Sequence, residues 1–308
     1  MKIRRIIAIA GPTAVGKTAL SLSLAERISG EIISSDSMQI YRGMDIGTAK
    51  PTSEEMARIP HHLINIVSPD SPYSSADYER DAKAAMQDIL QRGKTPLFCG
   101  GTGLYLESVL YEGKLKSPEA DEALRASLWA KTAEEVYADL LAVDPESAAG
   151  VHPNNRKRVI RALEIYLLSG KTKTEWDREN KRETLISGAE LYVLTSSDRE
   201  ALYRRIDTRV DLMMEAGLLD EVKALSLDPA TTAGQAIGYK EFYPYFEGNM
   251  TLEEAVASLK QASRHYAKRQ LTWWERNRDA IKIDMATTTL DEALEGILSG
   301  DYLVRKES

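Results

Sequence analysis

The sequence predicts an α/β protein with a parallel sheet core and a small, all-helical insertion. Two observations carry this prediction. Short apolar runs alternate with helical patterns over the first hundred residues, which is typical of a doubly wound parallel sheet. After about residue 115 the apolar residues recur only at helical spacing, until a strand pattern returns near residue 189. The chain is therefore predicted to split into a core of residues 1–115 and 188–308 and an insertion of residues 116–187.

Four apolar runs are predicted to form the strands of the core: IIAIA (6–10), EIISSD (31–36), PLFCGG (96–101) and ELYVLT (190–195). Helical patterns at residues 18–29 and 75–93 separate the first three strands. A capping box of Ser197 and Glu200 predicts a further helix that closes at Gly217. A second box, Thr251 with Glu254, predicts a last long helix that runs to about Arg276.

Three helices are predicted in the insertion. The first covers residues 118–130, and the second is opened by the capping box of Thr132 and Glu135. The third runs from about Asn155 to Leu168 and is closed by Gly170. The charged stretch at residues 171–184 is predicted to return the chain to the core.

Composition limits the class of protein. The chain has 308 residues, 43% of them hydrophobic, a net charge of −7 and one cysteine, Cys99. A lone cysteine excludes an intramolecular disulfide and a cysteine zinc site, and its apolar strand predicts a buried thiol. No apolar run reaches the roughly 18 residues of a membrane helix, and the N-terminal run is too short for a signal peptide. We expect a soluble, cytoplasmic monomer without membrane contact.

The motif GPTAVGKT follows the first strand and opens the first helix, so it is predicted to be a phosphate-binding P-loop. Its backbone N–H groups and the helix N-terminus attract phosphate, Lys17 reaches the outer phosphates, and Thr18 is the predicted Mg²⁺ ligand. The usual ligand is ATP or GTP, but the loop contacts only phosphates. The predicted phosphate-binding residues are Gly11, Pro12, Thr13, Ala14, Val15, Gly16, Lys17 and Thr18.

Polar and small residues follow the second and third strands, at the sheet edge where open α/β folds bind ligands. Asp36 is interpreted as a general base, or alternatively as a helix cap or an indirect Mg²⁺ ligand. Thr102 lies among three glycines, which suits close approach by a ligand or a plain tight turn. The third strand ends in glycines and lacks the aspartate that usually serves hydrolysis in an NTPase.

Two basic clusters contrast with the acidic average. One contains Arg156, Lys157, Arg158 and Arg161. In the other, Lys260, Arg264 and Lys268 form a stripe on the last long helix, with His265, Arg269, Thr272 and Arg276 beside it. A single stripe is usually a solvated face, but two stripes with Tyr266, Trp273 and Trp274 nearby favour RNA, because phosphates need cations and unstacked bases need flat partners. Either tryptophan could equally belong to the core.

Seven motifs together resemble the bacterial tRNA dimethylallyltransferase family over residues 11 to about 276. They are GPTAVGKT, SDSMQIYRGMDIGTAKP, HHLI, GGTGLYL, RVIRALEIY, AIGYKEF and YAKRQLTW. The resemblance implies a P-loop fold that binds dimethylallyl diphosphate in place of a nucleotide. It also implies Mg²⁺ and transfer of the dimethylallyl group to N6 of the adenosine just 3′ of a tRNA anticodon.

The resemblance also implies residue roles. Asp36 would be the base that takes the proton of the adenine amine, and Thr102 would lie near the reacting centre. Lys17 would stabilise the leaving diphosphate, which Arg209 would also contact. The tRNA contacts implied are Asp36, Ser37, Met38, Gln39, Thr102, Arg125, Lys157, Arg158, Val159, Ile160, Arg161, Gln235, Gly238, Tyr239, Arg264, Lys268, Arg269, Gln270, Thr272, Trp273 and Arg276.

Three departures from the family pattern are present: Asn65 replaces a common Asp, His265 replaces a usual Arg, and TWWER replaces TWFR. The charge of Glu275 would repel a phosphate unless Arg276 takes that position. His61 and His62 are interpreted as structural, because no metal-ligand spacing surrounds them.

Three other activities fit parts of the sequence. A small-metabolite kinase would use the P-loop and Asp36 alone, and an RNA-dependent NTPase would bind RNA without transferase chemistry. An isopentenyltransferase that acts on free adenine nucleotides is the third. The basic helices disfavour the kinase and the free-nucleotide enzyme.

Overall fold

A computed structural model describes residues 5–112, 118, 121–179 and 184–303 of the chain. It divides into two units, one formed by the residues up to Leu110 together with those from Ile186 onward, the other by Tyr111–Leu185. The boundary predicted at residues 115 and 116 lies outside the described residues. Within the described ranges, no helix has both the length and the apolar character needed to span a membrane.

The helices and strands follow the chain in three groups. Up to residue 110 they are β1 (Ile6–Ala10), α1 (Lys17–Ile28), β2 (Gly30–Ser34), α2 (Ser53–Arg58), β3 (His61–His62), α3 (Ser75–Gln91), β4 (Thr95–Gly100) and α4 (Gly103–Leu110). The second unit contains α5 (Glu122–Ala130), α6 (Ala133–Val143), α7 (Pro145–Ala149), α8 (Arg156–Ser169) and α9 (Lys173–Glu179). The first unit then continues with β5 (Ala189–Thr195), α10 (Arg199–Glu215), α11 (Leu218–Leu225), α12 (Tyr243–Phe246), α13 (Leu252–Glu275), β6 (Ile281–Asp284) and α14 (Leu290–Ser299).

The six strands form one parallel sheet in the order β3-β2-β4-β1-β5-β6. This confirms the predicted α/β fold with a parallel core. The register pairs Ala10 with Gly100 and Ser34 with Cys99, so β1, β2 and β4 end at the same edge. Consequently the P-loop, the segment after β2 and the glycine-rich turn after β4 begin side by side.

Two apolar clusters of the first unit support this edge. One packs α1 and α14 against the sheet through residues such as Leu20, Ile9 and Ile297. The other joins Ile40, Tyr41 and Met44, which follow β2, to α11 and α13. The segment that carries Asp36 therefore leads directly into a packed core.

Local signals predicted the ends of several helices. The boxes at Thr132 and Thr251 both form, and Gly170 caps α8 in the left-handed conformation. The predicted Ser197 box is wrong: Asp198 caps α10 through the N–H of Ala201 at 2.8 Å. The N–H of Ser197 instead donates to Asp284 on β6, a contact that no local pattern reveals.

Several elements were not predicted from the sequence. The strands β3 and β6 are absent from the predicted set, and so are the helices α2, α4, α7, α9, α11, α12 and α14, of which α9 lies in the charged return segment. The strands are short, at two and four residues, so neither gives a clear alternation. Gly217 stands two residues beyond the last residue of α10 and is the N-cap of α11.

Candidate active site

The P-loop curls over the end of β1 because two of its glycines adopt left-handed backbone. Gly11 has φ +140°, and a Cβ there would lie 2.4 Å from the carbonyl oxygen of Leu194. Gly16 has φ +106° and precedes α1 without a side-chain cap. The first N–H groups of α1 therefore remain available for an anion, which the helix dipole also attracts.

Lys17 lies half-buried beneath this loop. Its Nζ donates to the carbonyl of Pro12 at 2.6 Å. The pKa of Lys17 is lowered to about 8, mainly by burial and in addition by the nearby cation of Arg209, while interactions with Cys99 and Asp36 partly oppose the shift. Two cations thus share one site, and an anion that binds there would stabilise both.

Asp36 lies within electrostatic range of Lys17, Arg209 and Tyr266. Its Oδ1 accepts a hydrogen bond from the N–H of Met38 at 2.9 Å, so the carboxylate caps its own turn. A second carboxylate oxygen remains that this turn does not use. The arrangement is compatible with both predicted roles of Asp36, as cap and as base.

Thr102 ties the turn after β4 to the segment after β2. Its hydroxyl accepts from the N–H of Ser37 at 3.2 Å, and its own N–H donates to the carbonyl of Ser35 at 3.1 Å. A Cβ at Gly100 would lie 2.3 Å from that same Ser35 oxygen. Glycine is thus required at position 100, because the backbone there touches the backbone of Ser35. This contact places Thr102 close to Asp36.

Gln270 joins α13 to both loops. Its Oε1 accepts from the N–H of Thr13 at 3.0 Å, and its Nε2 donates to the carbonyl of Gly101 at 3.1 Å. The side chain is buried, and a Cβ at Gly101 would lie 1.9 Å from Nε2. Gln270 therefore faces the loops, whereas its neighbours Lys268 and Arg269 face solvent. The tRNA contact predicted for Gln270 stays a prediction.

The basic stripe of α13 is partly neutralised. Lys260 pairs with Asp211 at 2.6 Å and Arg264 with Asp207 at 2.5 Å, both carboxylates belonging to α10. The exposed remainder consists of His265, Lys268, Arg269, Thr272, Trp273 and Arg276. Arg264 is therefore committed to a carboxylate, and the available positive charge is concentrated near the C-terminal end of the helix.

The two tryptophans of α13 have different environments. Trp274 is 1% exposed and belongs to the core, whereas Trp273 is 41% exposed. The indole Nε1 of Trp273 donates to Glu107 at 3.0 Å, and the ring covers Gly103, where a Cβ would lie 2.1 Å from that nitrogen. Trp273 therefore presents a fixed aromatic face next to the turn that holds Thr102. Glu275 lies 3.5 Å from Arg199, which offsets its negative charge.

Within the second unit, α8 exposes Lys157 and Arg158. Val159 and Ile160 are 1% and 2% exposed and pack in the apolar core of that unit. The tRNA contacts predicted for these two residues stay predictions. Arg125 is bound through two nitrogens to the buried carboxylate of Glu164, at 2.8 and 2.9 Å. Arg161 also contacts Glu164, at 3.3 Å. Arg125 and Arg161 therefore neutralise the buried carboxylate of Glu164 within this unit.

The segment from residue 235 to 239 presents only its first residue fully to solvent. Gln235 is exposed, but Tyr239 is fully buried and donates its hydroxyl to Glu221 at 2.7 Å. Gly238 is also buried, and a Cβ there would lie 3.2 Å from the carbonyl of Gly47. Gly238 and Tyr239 therefore make packing contacts within the protein, and the tRNA contacts predicted for them stay predictions.

The histidines and Asn65 have structural partners. His62 contacts the buried carboxylate of Glu31 at 2.8 Å, and His61 contacts the carbonyl of Ile59 at 2.7 Å. Asn65 has φ +58° and accepts from Lys50 through its side-chain oxygen. Across the described ranges, no three His, Cys, Asp or Glu side chains group closely enough to hold a metal ion.

One feature of α10 escaped sequence analysis. An open groove of about 390 Å³ is lined by Ala201, Arg204, Arg205, Thr208, Arg209 and Leu212. Arg209 is the member that interacts electrostatically with Asp36 and Lys17. Arg204 and Arg205 therefore lie in the same groove as Arg209, the predicted diphosphate ligand. These two consecutive arginines were the feature of the sequence that could have indicated the groove.

Two family models match the chain: IPP transferase over residues 39–277 and isopentenyl transferase over residues 4–65. The tRNA dimethylallyltransferase of Bacillus subtilis (strain 168) is 51% identical over 286 residues, which cover 91% of this chain and 90% of that protein. The tRNA dimethylallyltransferase of Anoxybacillus flavithermus is 48% identical, with 94% and 93% covered.

Solved structures show the same similarity. The full-length tRNA isopentenylpyrophosphate transferase of Bacillus halodurans is 43% identical, with a TM-score of 0.73 and coverage of 99% of this chain and 98% of that chain. A eukaryotic dimethylallyltransferase, captured in crystallographic snapshots while acting on tRNA, is 33% identical with a TM-score of 0.83. The match covers 98% of this chain and 80% of the eukaryotic chain.

Proposed function

Because the chain belongs to the tRNA dimethylallyltransferase family, we propose that it transfers a dimethylallyl group to N6 of the adenosine just 3′ of a tRNA anticodon. The donor is dimethylallyl diphosphate and the second product is diphosphate. The observation that carries the proposal is the meeting of three strand ends. It gathers the P-loop with Lys17, Asp36, Thr102 and Arg209 at one sheet edge.

In the proposed reaction, the allylic C–O bond breaks and its electron pair leaves with the diphosphate. The N6 lone pair of adenine forms the new C–N bond, and the N6 proton passes to the Asp36 carboxylate. Loop N–H groups, Lys17 and Arg209 stabilise the charge that grows on the diphosphate. The site therefore accelerates the reaction through groups that interact more strongly with the transition state than with the donor.

The oxygen ligand available at the start of α1 fits Mg²⁺. The side chain of Thr18 supplies one hydroxyl oxygen at the exposed first turn of α1, and Mg²⁺ is commonly held by few protein ligands together with phosphate oxygens and water. Bound there, the ion would neutralise negative charge on the leaving diphosphate. The protein's own contribution is the placement of Thr18 and Lys17 next to each other at the helix start.

We propose that the tRNA contacts come from the solvent-accessible members of the predicted set. In the core these are the half-buried Ser37, Met38 and Gln39 and the exposed Gln235, Lys268, Arg269, Thr272, Trp273 and Arg276, and in the insertion they are the exposed Lys157 and Arg158. Trp273 offers a flat surface on which an unstacked base can lie. The target adenine must leave its stack to reach the P-loop edge, so such a surface supports the proposal.

The proposal is tested by incubating the protein with bulk unmodified tRNA and either radiolabelled dimethylallyl diphosphate or radiolabelled ATP. We expect label from the prenyl donor in tRNA, located at one adenosine by nuclease digestion and mass spectrometry. ATP should not be consumed. Transfer to free AMP or to a metabolite, or tRNA-stimulated ATP hydrolysis, would favour one of the alternative activities.

The cellular setting proposed is the cytoplasm, with the protein acting as a monomer. Its single thiol, Cys99, lies half-buried at the end of β4, and burial raises the pKa of this thiol. A protonated thiol next to the P-loop is inert, which suits a reducing compartment where tRNA is made. Light scattering of the protein with and without tRNA measures the molar mass of the particle, which should correspond to one protein chain.

Salt dependence is the first prediction. If Lys268, Arg269 and Arg276 bind tRNA phosphates, log affinity should fall linearly with log salt, by about 0.7 to 0.9 per phosphate. Lys268→Ala should reduce the magnitude of that slope by about 0.7 to 0.9, the contribution of one phosphate contact. Lys260→Ala removes a lysine of the same helix that is already paired with Asp211, so its slope should match the wild type. Filter binding over a salt series measures this, and a flat wild-type slope would contradict the RNA interface.

A pH dependence follows from Lys17. Its pKa of about 8 means that the free protein loses this cation as pH rises through 8, so donor binding should weaken above that pH by about tenfold per unit. The diphosphate raises the pKa again, so binding near pH 8.5 should take up a proton. Calorimetric titration with pyrophosphate in two buffers of different ionisation enthalpy measures the uptake. In Lys17→Arg the cation persists, so the dependence should vanish; a wild type whose binding is unchanged to pH 9.5 would contradict the assignment.

A further inference from the structure

Loop 45–50, which follows the segment of residues 34–39 that contains Asp36, is held by a carboxylate from α11. Glu221 accepts through Oε2 from the N–H groups of Asp45 at 3.0 Å and Ile46 at 2.7 Å. Its Oε1 accepts from the N–H of Gly47 at 3.0 Å and from the hydroxyl of Tyr239 at 2.7 Å. One carboxylate thus satisfies three consecutive backbone donors, and charge-assisted bonds of this kind are stronger than neutral ones.

The fit of the loop against this carboxylate leaves no free space. A Cβ at Gly47 would lie 2.6 to 2.8 Å from three side-chain atoms of Tyr239, two ring carbons and the hydroxyl oxygen. At its other end the loop is closed by Lys50, whose side chain is only 3% exposed and donates to Tyr41, Asp45 and Asn65. Ala49 holds the left-handed conformation with φ +48°. The loop therefore has one conformation that side chains at both ends maintain.

Loop 45–50 in turn holds Gln39. The amide Nε2 of Gln39 donates to the carbonyls of Thr48 at 3.3 Å and Ala49 at 3.2 Å. Its Oε1 accepts from the hydroxyl of Ser34 at 3.0 Å. Ser34 is the last residue of β2 and lies two positions before Asp36. Contacts between neighbouring groups therefore run without interruption from Glu221 through the loop and Gln39 to the strand end that presents Asp36.

We propose that Glu221 is a positioning residue for residues 34–39 and acts on the proposed transfer reaction through loop 45–50 and Gln39. The inference rests on the proposed function of this site. Glu221 fixes the amides of the loop, the loop fixes the carbonyls that hold Gln39, and Gln39 sets the path of the chain that carries Asp36. Removal of the Glu221 carboxylate moves Asp36 relative to the acceptor adenine and leaves the P-loop in place.

The test begins with Glu221→Gln. The carboxamide retains one oxygen for two of the three amides, and its NH₂ group faces the N–H of Gly47, so that bond is lost. We expect kcat for tRNA prenylation to fall about 10- to 100-fold, because small misplacements of reacting groups have effects of this size. The Kd of pyrophosphate should stay within about twofold. The matched control is Asp220→Asn, the same charge change at the exposed neighbouring residue, which should keep the wild-type kcat.

A double-mutant cycle separates positioning from general stability. If Glu221 acts through Gln39, the effect of Glu221→Gln on kcat should disappear in a Gln39→Ala background. If Glu221 merely supports the fold, the two effects multiply. Rates are expressed per pyrophosphate-binding site, so a loss of folded protein does not imitate a loss of kcat. A Glu221→Gln variant with kcat within about threefold of the wild type, or multiplicative effects in the cycle, would overturn the inference.

If Glu221→Gln fails to fold, Gly47→Ala provides the second variant. Its Cβ would push the loop away from Tyr239, so it should give the same loss of kcat with an unchanged Kd for pyrophosphate. An unchanged kcat in Gly47→Ala would also overturn the inference. Failure of the proposed function is distinguishable, because the wild type itself would then transfer no dimethylallyl group to tRNA.

Discussion

Replacement of Asp36 by asparagine is expected to lower kcat for tRNA prenylation by about 10² to 10⁴-fold. Asparagine keeps the size of the side chain and an oxygen for the N–H of Met38. It removes the carboxylate that we propose takes the proton from adenine N6. Single-turnover transfer from dimethylallyl diphosphate to tRNA measures the rate. The affinity for tRNA should stay within several-fold of the wild type.

Two control variants accompany this experiment. Asp36→Glu keeps a carboxylate and should recover part of the rate, since a base remains with altered reach. Asp70→Asn makes the same chemical change at an exposed residue outside the site and should leave the rate unchanged. A near-wild-type rate in Asp36→Asn would assign Asp36 to the capping role that its bond to the Met38 amide already shows.

Replacement of Lys17 by alanine is expected to weaken donor binding and slow transfer together, by about 2 to 4 kcal/mol in kcat/KM. The ammonium contacts charge that exists on the bound diphosphate and increases as the C–O bond breaks. Calorimetric titration with pyrophosphate gives the binding part, and single-turnover transfer gives the remainder. The Kd of tRNA should hardly change, because Lys17 lies half-buried under the P-loop.

The same experiment tests the identity of the ligand. Pyrophosphate should inhibit competitively against dimethylallyl diphosphate in the presence of Mg²⁺, because both present the same charged groups to the loop amides, Lys17 and Thr18. Tight binding of ATP together with tRNA-stimulated hydrolysis would contradict the transferase and favour an RNA-dependent NTPase. An unchanged pyrophosphate affinity in Lys17→Ala would remove Lys17 from the diphosphate site.

The proposed tRNA interface on α13 includes contacts that the sequence could not predict. The helical repeat correctly placed Lys260, Arg264 and Lys268 on one face, but it could not show which of them are already paired. Carboxylates of α10 bind the first two, because α10 and α13 pack against each other. The choice between Trp273 and Trp274 was likewise undecided by spacing, since adjacent residues lie only 100° apart on a helix.

The sequence by itself determined the features whose causes are local. The P-loop at the end of β1, the capping boxes at Thr132 and Thr251 and the parallel sheet all follow from residues close together in the chain, because caps, turns and hydrophobic periodicity act over a few residues. Only the tertiary structure decided that Gln270 joins the P-loop to Gly101, that Val159 and Ile160 are core, and that Glu221 holds loop 45–50. Glu221 and the loop it holds stand more than 170 residues apart in the chain, and Thr13 and Gln270 stand 257 apart. The side chain that satisfies a backbone donor at such a separation is selected by packing, which no local pattern records.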